Sequence, residues 1–141
     1  MIFIGVDPGK TVGLAVYDTD DAESMMGTQI LFDDLGDWLN VSLANLKGRD
    51  VTVACERYTI RSLKVAADAH WAIEIIGIVN YLCRCYSVPV IMQMPSDAKN
   101  FATDLKLRKA KWYMPGKNHA NDAMRHIGLA MASLKITPPW F

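Results

Sequence analysis

Three carboxylates and one imidazole stand out by where they fall along the chain. Asp7 follows the apolar run Ile2–Val6 and precedes the turn formers Pro8-Gly9. Glu56 closes the apolar run Val51–Cys55. His119 and Asp122, three residues apart, open a helical stretch and so share one of its faces. Three carboxylates brought together repel one another and hold their protons more tightly. A hard divalent cation relieves that repulsion, and an oxygen-dominated set with a single imidazole favours Mg²⁺ or Mn²⁺ over zinc. Two such ions roughly 4 Å apart suit phosphodiester hydrolysis, one activating water and the other supporting the leaving 3′ oxygen. Singly, each residue has a plainer reading: Asp7 as a turn former, Asp122 as a charge complementing a helix start. Only their joint placement at the ends of three elements favours the metal-site reading.

The elements that must position them can be traced from the apolar periodicity. Ile2–Val6 and Thr11–Tyr17 read as a hairpin joined through Asp7-Pro8-Gly9, and Met25–Phe32 as a third, edge-like strand. Asp33–Lys47 has helical spacing (Leu35, Trp38, Leu39, Leu43, Leu46), with Asp33 or Asp34 as N-cap and Gly48 beyond its end. Val51–Cys55 is a strand, and Arg61–Tyr86 a long helix with Ala66, Ala69, Ile73, Ile76, Val79, Tyr81 and Leu82 as its apolar stripe. Val88–Met94 is the fifth strand, closed by Pro95, and short helical turns occupy Ser96–Lys109. His119–Leu134 forms the last helix, with Ala123, Ile127, Ala130, Met131 and Leu134 turned inward. Helical crossovers predict parallel pairing of the first, fourth and fifth strands, and the hairpins add antiparallel neighbours. Asp7 and Glu56 then project from the same carboxyl end of an α/β sheet, where ligand sites form. A last helix packed across the first strand would bring His119 and Asp122 beside them. With no repeat, linker or composition break, residues 1–141 are expected to form a single domain.

The composition suits this reading. The chain has 141 residues, 51% of them hydrophobic and 21% charged, which is ordinary globular usage and excludes disordered, collagenous and coiled-coil classes. The longest apolar run, Trp71–Cys83, contains Glu74 and is too short to span a bilayer. The opening residues reach the carboxylate of Asp7 at once, so no secretory signal is expected. Cys55, Cys83 and Cys85 form no CxxC and cannot all pair, as expected of reduced thiols in the cytoplasm. The zero net charge conceals a division. Residues 1–50 carry three basic and nine acidic side chains, and residues 51–141 twelve basic and six acidic. The densest basic stretch holds Lys99, Lys106, Arg108, Lys109, Lys111 and Lys117 against Asp104 alone, with Trp112 and Tyr113 inside it. Such a mixture suits a polyanion that also offers flat bases, although a merely solvated surface has the same composition. The glycines of Gly5-Val6-Asp7-Pro8-Gly9-Lys10-Thr11-Val12-Gly13 also resemble a phosphate cradle of nucleotide-binding ATPases. Those enclose ATP between two such domains, and this chain supplies one.

Three segments, Ile4-Gly5-Val6-Asp7-Pro8-Gly9, Val53-Ala54-Cys55-Glu56 and His119-Ala120-Asn121-Asp122-Ala123, together resemble the RuvC-type Holliday junction resolvases of the ribonuclease H-like superfamily. They occur in the family's order across nearly the whole chain, and Lys111–Lys117 is similar to the phage-encoded branch. The resemblance implies an α/β fold with a five-stranded mixed sheet in the order 3-2-1-4-5, flanked by helices. It also implies a homodimer that cleaves Holliday junctions and other branched DNA, with forks and flaps as further substrates, using two Mg²⁺ ions for which Mn²⁺ substitutes. By the same resemblance Asp7 bridges both metals, with Glu56 on one and Asp122 on the other. His119 stands where bacterial members commonly carry an aspartate, which leaves it as a metal ligand or as a proton relay. Tyr58 is the candidate for an aromatic acting at the junction centre, and Lys99 for a basic residue near the scissile phosphate. Arg57, Arg61 and Lys64 would guide a DNA arm, and Lys10, Lys106, Arg108, Lys109 and Lys111 complete the expected DNA-binding set. His70 and Trp71 belong with packing or the dimer interface, for which the long helix is the expected surface. His126, one turn beyond Asp122, is either in contact with the site or exposed. The expected compartment is the cytoplasm, of the host cell if the chain is phage-encoded, with no membrane partner. Two alternatives are an RNA-processing nuclease like the YqgF-type proteins and a junction-binding protein without turnover.

Overall fold

A computed structural model describes residues 1–59 and 66–141, the helix residues 66–68 in backbone only. The strands are β1 (Ile2–Asp7), β2 (Thr11–Asp18), β3 (Met26–Leu31), β4 (Val51–Glu56) and β5 (Val90–Gln93). They form one sheet in the order β3-β2-β1-β4-β5. The hairpin neighbours β1–β2 and β2–β3 are antiparallel, and β1–β4 and β4–β5, reached through helices, are parallel. The pairing directions are those the crossovers and hairpins predict, and the order is the one the resemblance implies.

Alternation along the strands gives the sheet two unlike faces. Ile2, Ile4, Val6, Val12, Leu14, Val51, Val53 and Cys55 face one way. They pack with Leu35, Leu39 and Leu43 of α1 (Leu35–Asn45) and with Ile75, Val79 and Cys83 of α2 (Ala66–Cys85). Phe3, Ala15, Tyr17 and Ala54 face the other way. Their partners include Leu107, Trp112 and Trp140, together with Ala123, Met124, Ile127, Ala130 and Met131 of α5 (Asn118–Ser133). Two short helices, α3 (Pro95–Phe101) and α4 (Asp104–Lys109), lie between β5 and α5, and α5 itself lies across β3, β2, β1 and β4.

Several sequence expectations are corrected in detail. A single 3₁₀ turn, Phe32–Asp34, precedes α1, and Asp34 stands at the N-cap without a side-chain cap bond. In α2 the expected Ala69 and Val79 are buried and Ile76 and Leu82 half-buried, but the stripe also takes in Ala72, Ile75 and Cys83, while Ile73 and Tyr81 are exposed. That helix is apolar around much of its circumference, so periodicity alone does not say which arc meets the sheet. Its expected beginning, including Arg61 and Lys64, lies outside the described residues. Leu134, at the C-cap of α5, is exposed: it keeps the stripe of Ile127 and Ala130 but lies beyond Ala130 and Met131, the last buried residues of that helix. Trp112 is only 2% exposed, with its ring 4.8 Å from Tyr17 and 5.3 Å from Trp140. It is a core residue, not an aromatic offered to bases. Trp71 packs edge-on against Phe32 at 4.7 Å, as expected of a packing residue.

Candidate active site

The register places a polar row across the sheet just where the parallel strands end. Gln29 of β3 pairs with Gly13 of β2, and Gly13 with Asp7 of β1. Val6 pairs with Cys55, so the next step sets Glu56 beside Asp7, and Glu56 pairs with Gln93 of β5. All five residues share the α5 side of the sheet. α5 reaches them because two strand positions lack a side chain. A Cβ on Gly13 would stand 1.9 Å from the carbonyl oxygen of His119, and one on Gly5 2.2 Å from that of Ala123. Glycine inside a strand is a sequence signal of such close approach. Gln29 completes the docking: its Oε1 accepts from the backbone N–H of His119 at 3.1 Å and of Ala120 at 3.4 Å. It thereby satisfies two helix-start donors that no side chain at Lys117 caps.

His119 and Asp7 meet at once. Nδ1 of the imidazole lies 2.8 Å from Asp7 Oδ2, the histidine side chain being 49% exposed and the aspartate 8%. Burial raises the Asp7 carboxyl above the usual carboxylate range. The bond to His119 opposes this, and the charges of Glu56 and then Asp122 add to it. His119 is itself raised, first by its bond to Asp7 and against the effect of burial. The four predicted residues therefore occupy one electrostatic neighbourhood.

Each of the other two carboxylates has a separate holder. Glu56 Oε2 lies 3.2 Å from Nε2 of His126, a ring only 1% exposed. This settles the two readings left to His126: it contacts the site. Asp122 is bound by Nη1 of Arg125, one turn on, and lies 3.2 Å from Lys99 Nζ. Arg125 also binds Asp104 and donates from Nε to the carbonyl of Ala102 at 2.9 Å, joining α5 to the start of α4. Lys99, Asp104, Asp122 and Arg125 line a polar cleft of about 480 Å³ with Thr103, Tyr113, Asn118 and Asn121. Asn121 ties the preceding loop to α5 through both the N–H and the carbonyl of Met114, each at 2.9 Å.

Among the described residues, no three His, Cys, Asp or Glu side chains close into a ready metal-ligand cluster. The four candidates are gathered but are held in separate bonds. The donor set nevertheless fits hard divalent cations: all carboxylate oxygens and one imidazole, with one nearly buried carboxylate disfavoured as an anion first by burial and then by its acidic neighbours.

The expected DNA-binding residues divide by place. Lys10 follows β1 and Arg57 follows β4; both are exposed at the end of the sheet that carries Asp7 and Glu56, as is Lys99 on α3. Tyr58 beside them is half-buried. Arg108, Lys109 and Lys111 are exposed on and just after α4, with Arg108 3.7 Å above the ring of Tyr113. Lys106 is half-buried: its ammonium donates to the carbonyl of Phe101 at 2.5 Å and stands over the rings of Phe101 and Phe141. Gln29, Gln93, Asp104 and Arg125 were not singled out from the sequence. Only the alternation that puts Gln29 and Gln93 on the face of Asp7 and Glu56 could have marked two of them.

No protein-family model and no curated protein matches the chain. Solved structures do. RuvC of Thermus thermophilus in complex with a Holliday junction substrate is similar with a TM-score of 0.68 and 18% identity, over 95% of this chain and 96% of that one. Another structure of Thermus thermophilus RuvC gives a TM-score of 0.63 and 19% identity, over 96% and 97%. Likeness at this identity shows the fold, which is the RuvC, ribonuclease H-like arrangement. Among the described residues, no helix is long and apolar enough to cross a membrane.

Proposed function

We propose that the protein is a structure-selective endonuclease of the RuvC type, hydrolysing phosphodiesters at four-way and other branched DNA junctions. The observation that carries this reading is the meeting of Asp7 and Glu56, on adjacent parallel strand ends, with His119 and Asp122 on the first turn of α5. The similar RuvC held with a Holliday junction substrate supports the choice of branched DNA. The segment Lys111–Lys117 supports placing it with the phage-encoded branch, acting in the cytoplasm as a homodimer of one nuclease domain. Two opposed nicks across a symmetric junction suit a twofold pair of sites.

Asp7, Glu56 and Asp122 would hold two Mg²⁺ or Mn²⁺ ions, which supply an activated water and stabilise the leaving oxygen. Burial keeps Asp7 away from bulk water, so its charge is little screened toward a bound cation. His119 has Nδ1 committed to Asp7, which leaves Nε2 as the nitrogen able to exchange a proton with water or to join the ligand set. Lys10, Arg57 and Lys99 surround the carboxylates with positive charge, and such contacts hold a phosphate backbone without reading its sequence. Lys99 would exchange its bond to Asp122 for a phosphate oxygen as DNA enters.

The test is cleavage in Mg²⁺ of synthetic four-way, three-way, flap and linear duplex DNA and of structured RNA, by wild type and by Asp7→Asn. The expected result is cutting of the branched DNAs alone by wild type, with junction binding but no cutting by the variant. Cleavage retained by Asp7→Asn, or a preference for RNA, would overturn the assignment.

A further inference from the structure

Nothing in the proposed chemistry requires the innermost of the two histidines on α5. His119, Asp122 and His126 fall at i, i+3 and i+7 and so lie along one face of the helix, above the polar row. His126 is buried to 1% exposure between Glu56 and Gln93, both at the ends of their strands. A polar ring so placed is stable only if both nitrogens are satisfied.

The partners of Gln93 decide how they are satisfied. Its amide lies 2.8 Å from His126 Nδ1. The orientation meeting every partner directs its NH₂ to His126 Nδ1 at 2.8 Å and to the His126 carbonyl at 3.1 Å, while its oxygen accepts from the Ala130 N–H at 3.1 Å. A ring nitrogen that accepts from an amide carries no proton, so the proton is on Nε2. That nitrogen donates to Glu56 Oε2 at 3.2 Å. The relay runs from the α5 backbone through Gln93 and His126 to one carboxylate oxygen, and the other, Oε1, has no hydrogen-bond partner among the described residues.

Resting on the nuclease reading above, we propose that His126, itself held by Gln93, is a positioning residue for Glu56: its Nε2–H fixes one oxygen and leaves the other for a divalent cation. The device contrasts with the one at Asp122. An arginine holds its carboxylate but brings a full positive charge that opposes cation binding. A neutral imidazole holds the carboxylate and leaves its charge intact. Hydrogen-bond partners behind a metal ligand typically change metal affinity or activity by about 10–100-fold when removed.

The experiment reads metal binding rather than turnover. Mn²⁺ affinity is measured calorimetrically for wild type, His126→Leu, His126→Gln, Gln93→Leu and Glu56→Gln, with the double variant His126→Leu/Glu56→Gln. The expected result is a loss of about 10-fold or more in His126→Leu, a smaller loss in Gln93→Leu, and recovery in His126→Gln, whose amide can donate from the Nε2 position. In the Glu56→Gln background, His126→Leu should cost nothing further. Nitrogen NMR of the metal-free protein should show the His126 proton on Nε2. Unchanged affinity in His126→Leu, an equal further loss in the Glu56→Gln background, or a proton on Nδ1 overturns the positioning role and leaves the nuclease reading standing. If His126→Leu fails to fold, unchanged affinity in Gln93→Leu overturns it. Absence of Mn²⁺ binding by wild type overturns both.

Discussion

The two faces of one sheet are built to different ends. On the side of α1 and α2, the strands carry Ile2, Ile4, Val6, Val12, Leu14, Val51, Val53 and Cys55, all of them buried in one apolar cluster. On the side of α5 the same strands carry Phe3, Ala15, Tyr17 and Ala54 toward one end, and Gln29, Gly13, Asp7, Glu56 and Gln93 at the other. The first face stabilises the sheet without needing exact partners. The second places charge under a helix, where burial disfavours Asp7 as an anion and every polar group must be matched. Stability and chemistry are thus assigned to opposite sides of the same strands, one residue apart.

Neighbouring substitutions in β2 test this division most strongly. Leu14→Ala, on the apolar face, should cost about 2–5 kcal/mol in urea unfolding, with Mn²⁺ affinity of the folded protein unchanged. Gly13→Ala places a methyl against the α5 backbone. It should cost about 3 kcal/mol and weaken Mn²⁺ binding as well, because His119 can no longer reach Asp7. Equal effects of the two on metal affinity would erase the distinction between the faces.

Asp7→Asn should act in the opposite direction on stability. A carboxyl whose proton affinity rises on folding favours the fold while protonated. Its contribution is lost as pH climbs from the unfolded value of about 3.9 through the raised folded one. In metal-free buffer at neutral pH the variant should therefore melt above wild type, with the gap closing toward pH of about 4. His119 has the same sign, its stabilising effect fading as pH rises through its raised value. A lower melting temperature for the variant at neutral pH would mean that Asp7 is not disfavoured as an anion in the fold.

The smallest effect concerns the thiols. Burial pushes Cys83 up to about 11 and Cys55 higher still, both within the apolar face, whereas Cys85 is exposed. Iodoacetamide at neutral pH should label Cys85 alone in the native protein, read by mass spectrometry, with no change in melting temperature. Labelling of Cys55 would show that the apolar face opens.

Much of this was legible along the chain because strand alternation and helical periodicity are local. Ile2–Val6, Thr11–Tyr17 and Val51–Cys55 announce themselves, and Asp7, Glu56, His119 and Asp122 are conspicuous for ending or beginning those elements. The α2 stripe is legible only in part: Ala69 and Val79 are buried but Ile73 and Tyr81 are not, because a helix apolar on most sides carries little directional information. Trp112 was misjudged because a ring amid basic residues looks the same in sequence whether it faces solvent or Tyr17. Gln29, Gln93 and Arg125 were passed over because a single polar residue gains meaning only from its partner.

Local pattern therefore determined the strands and the carboxylates that could act, while the order of the strands came from the resemblance. The fold alone decided which face of α2 was buried, how closely α5 could approach, and which partner holds each acidic group. Hydrophobic periodicity is a property of neighbouring residues and can be read from them. A hydrogen bond between Glu56 and His126, or between Asp7 and His119, joins residues far apart in the chain and exists only once the sheet and the helix have met.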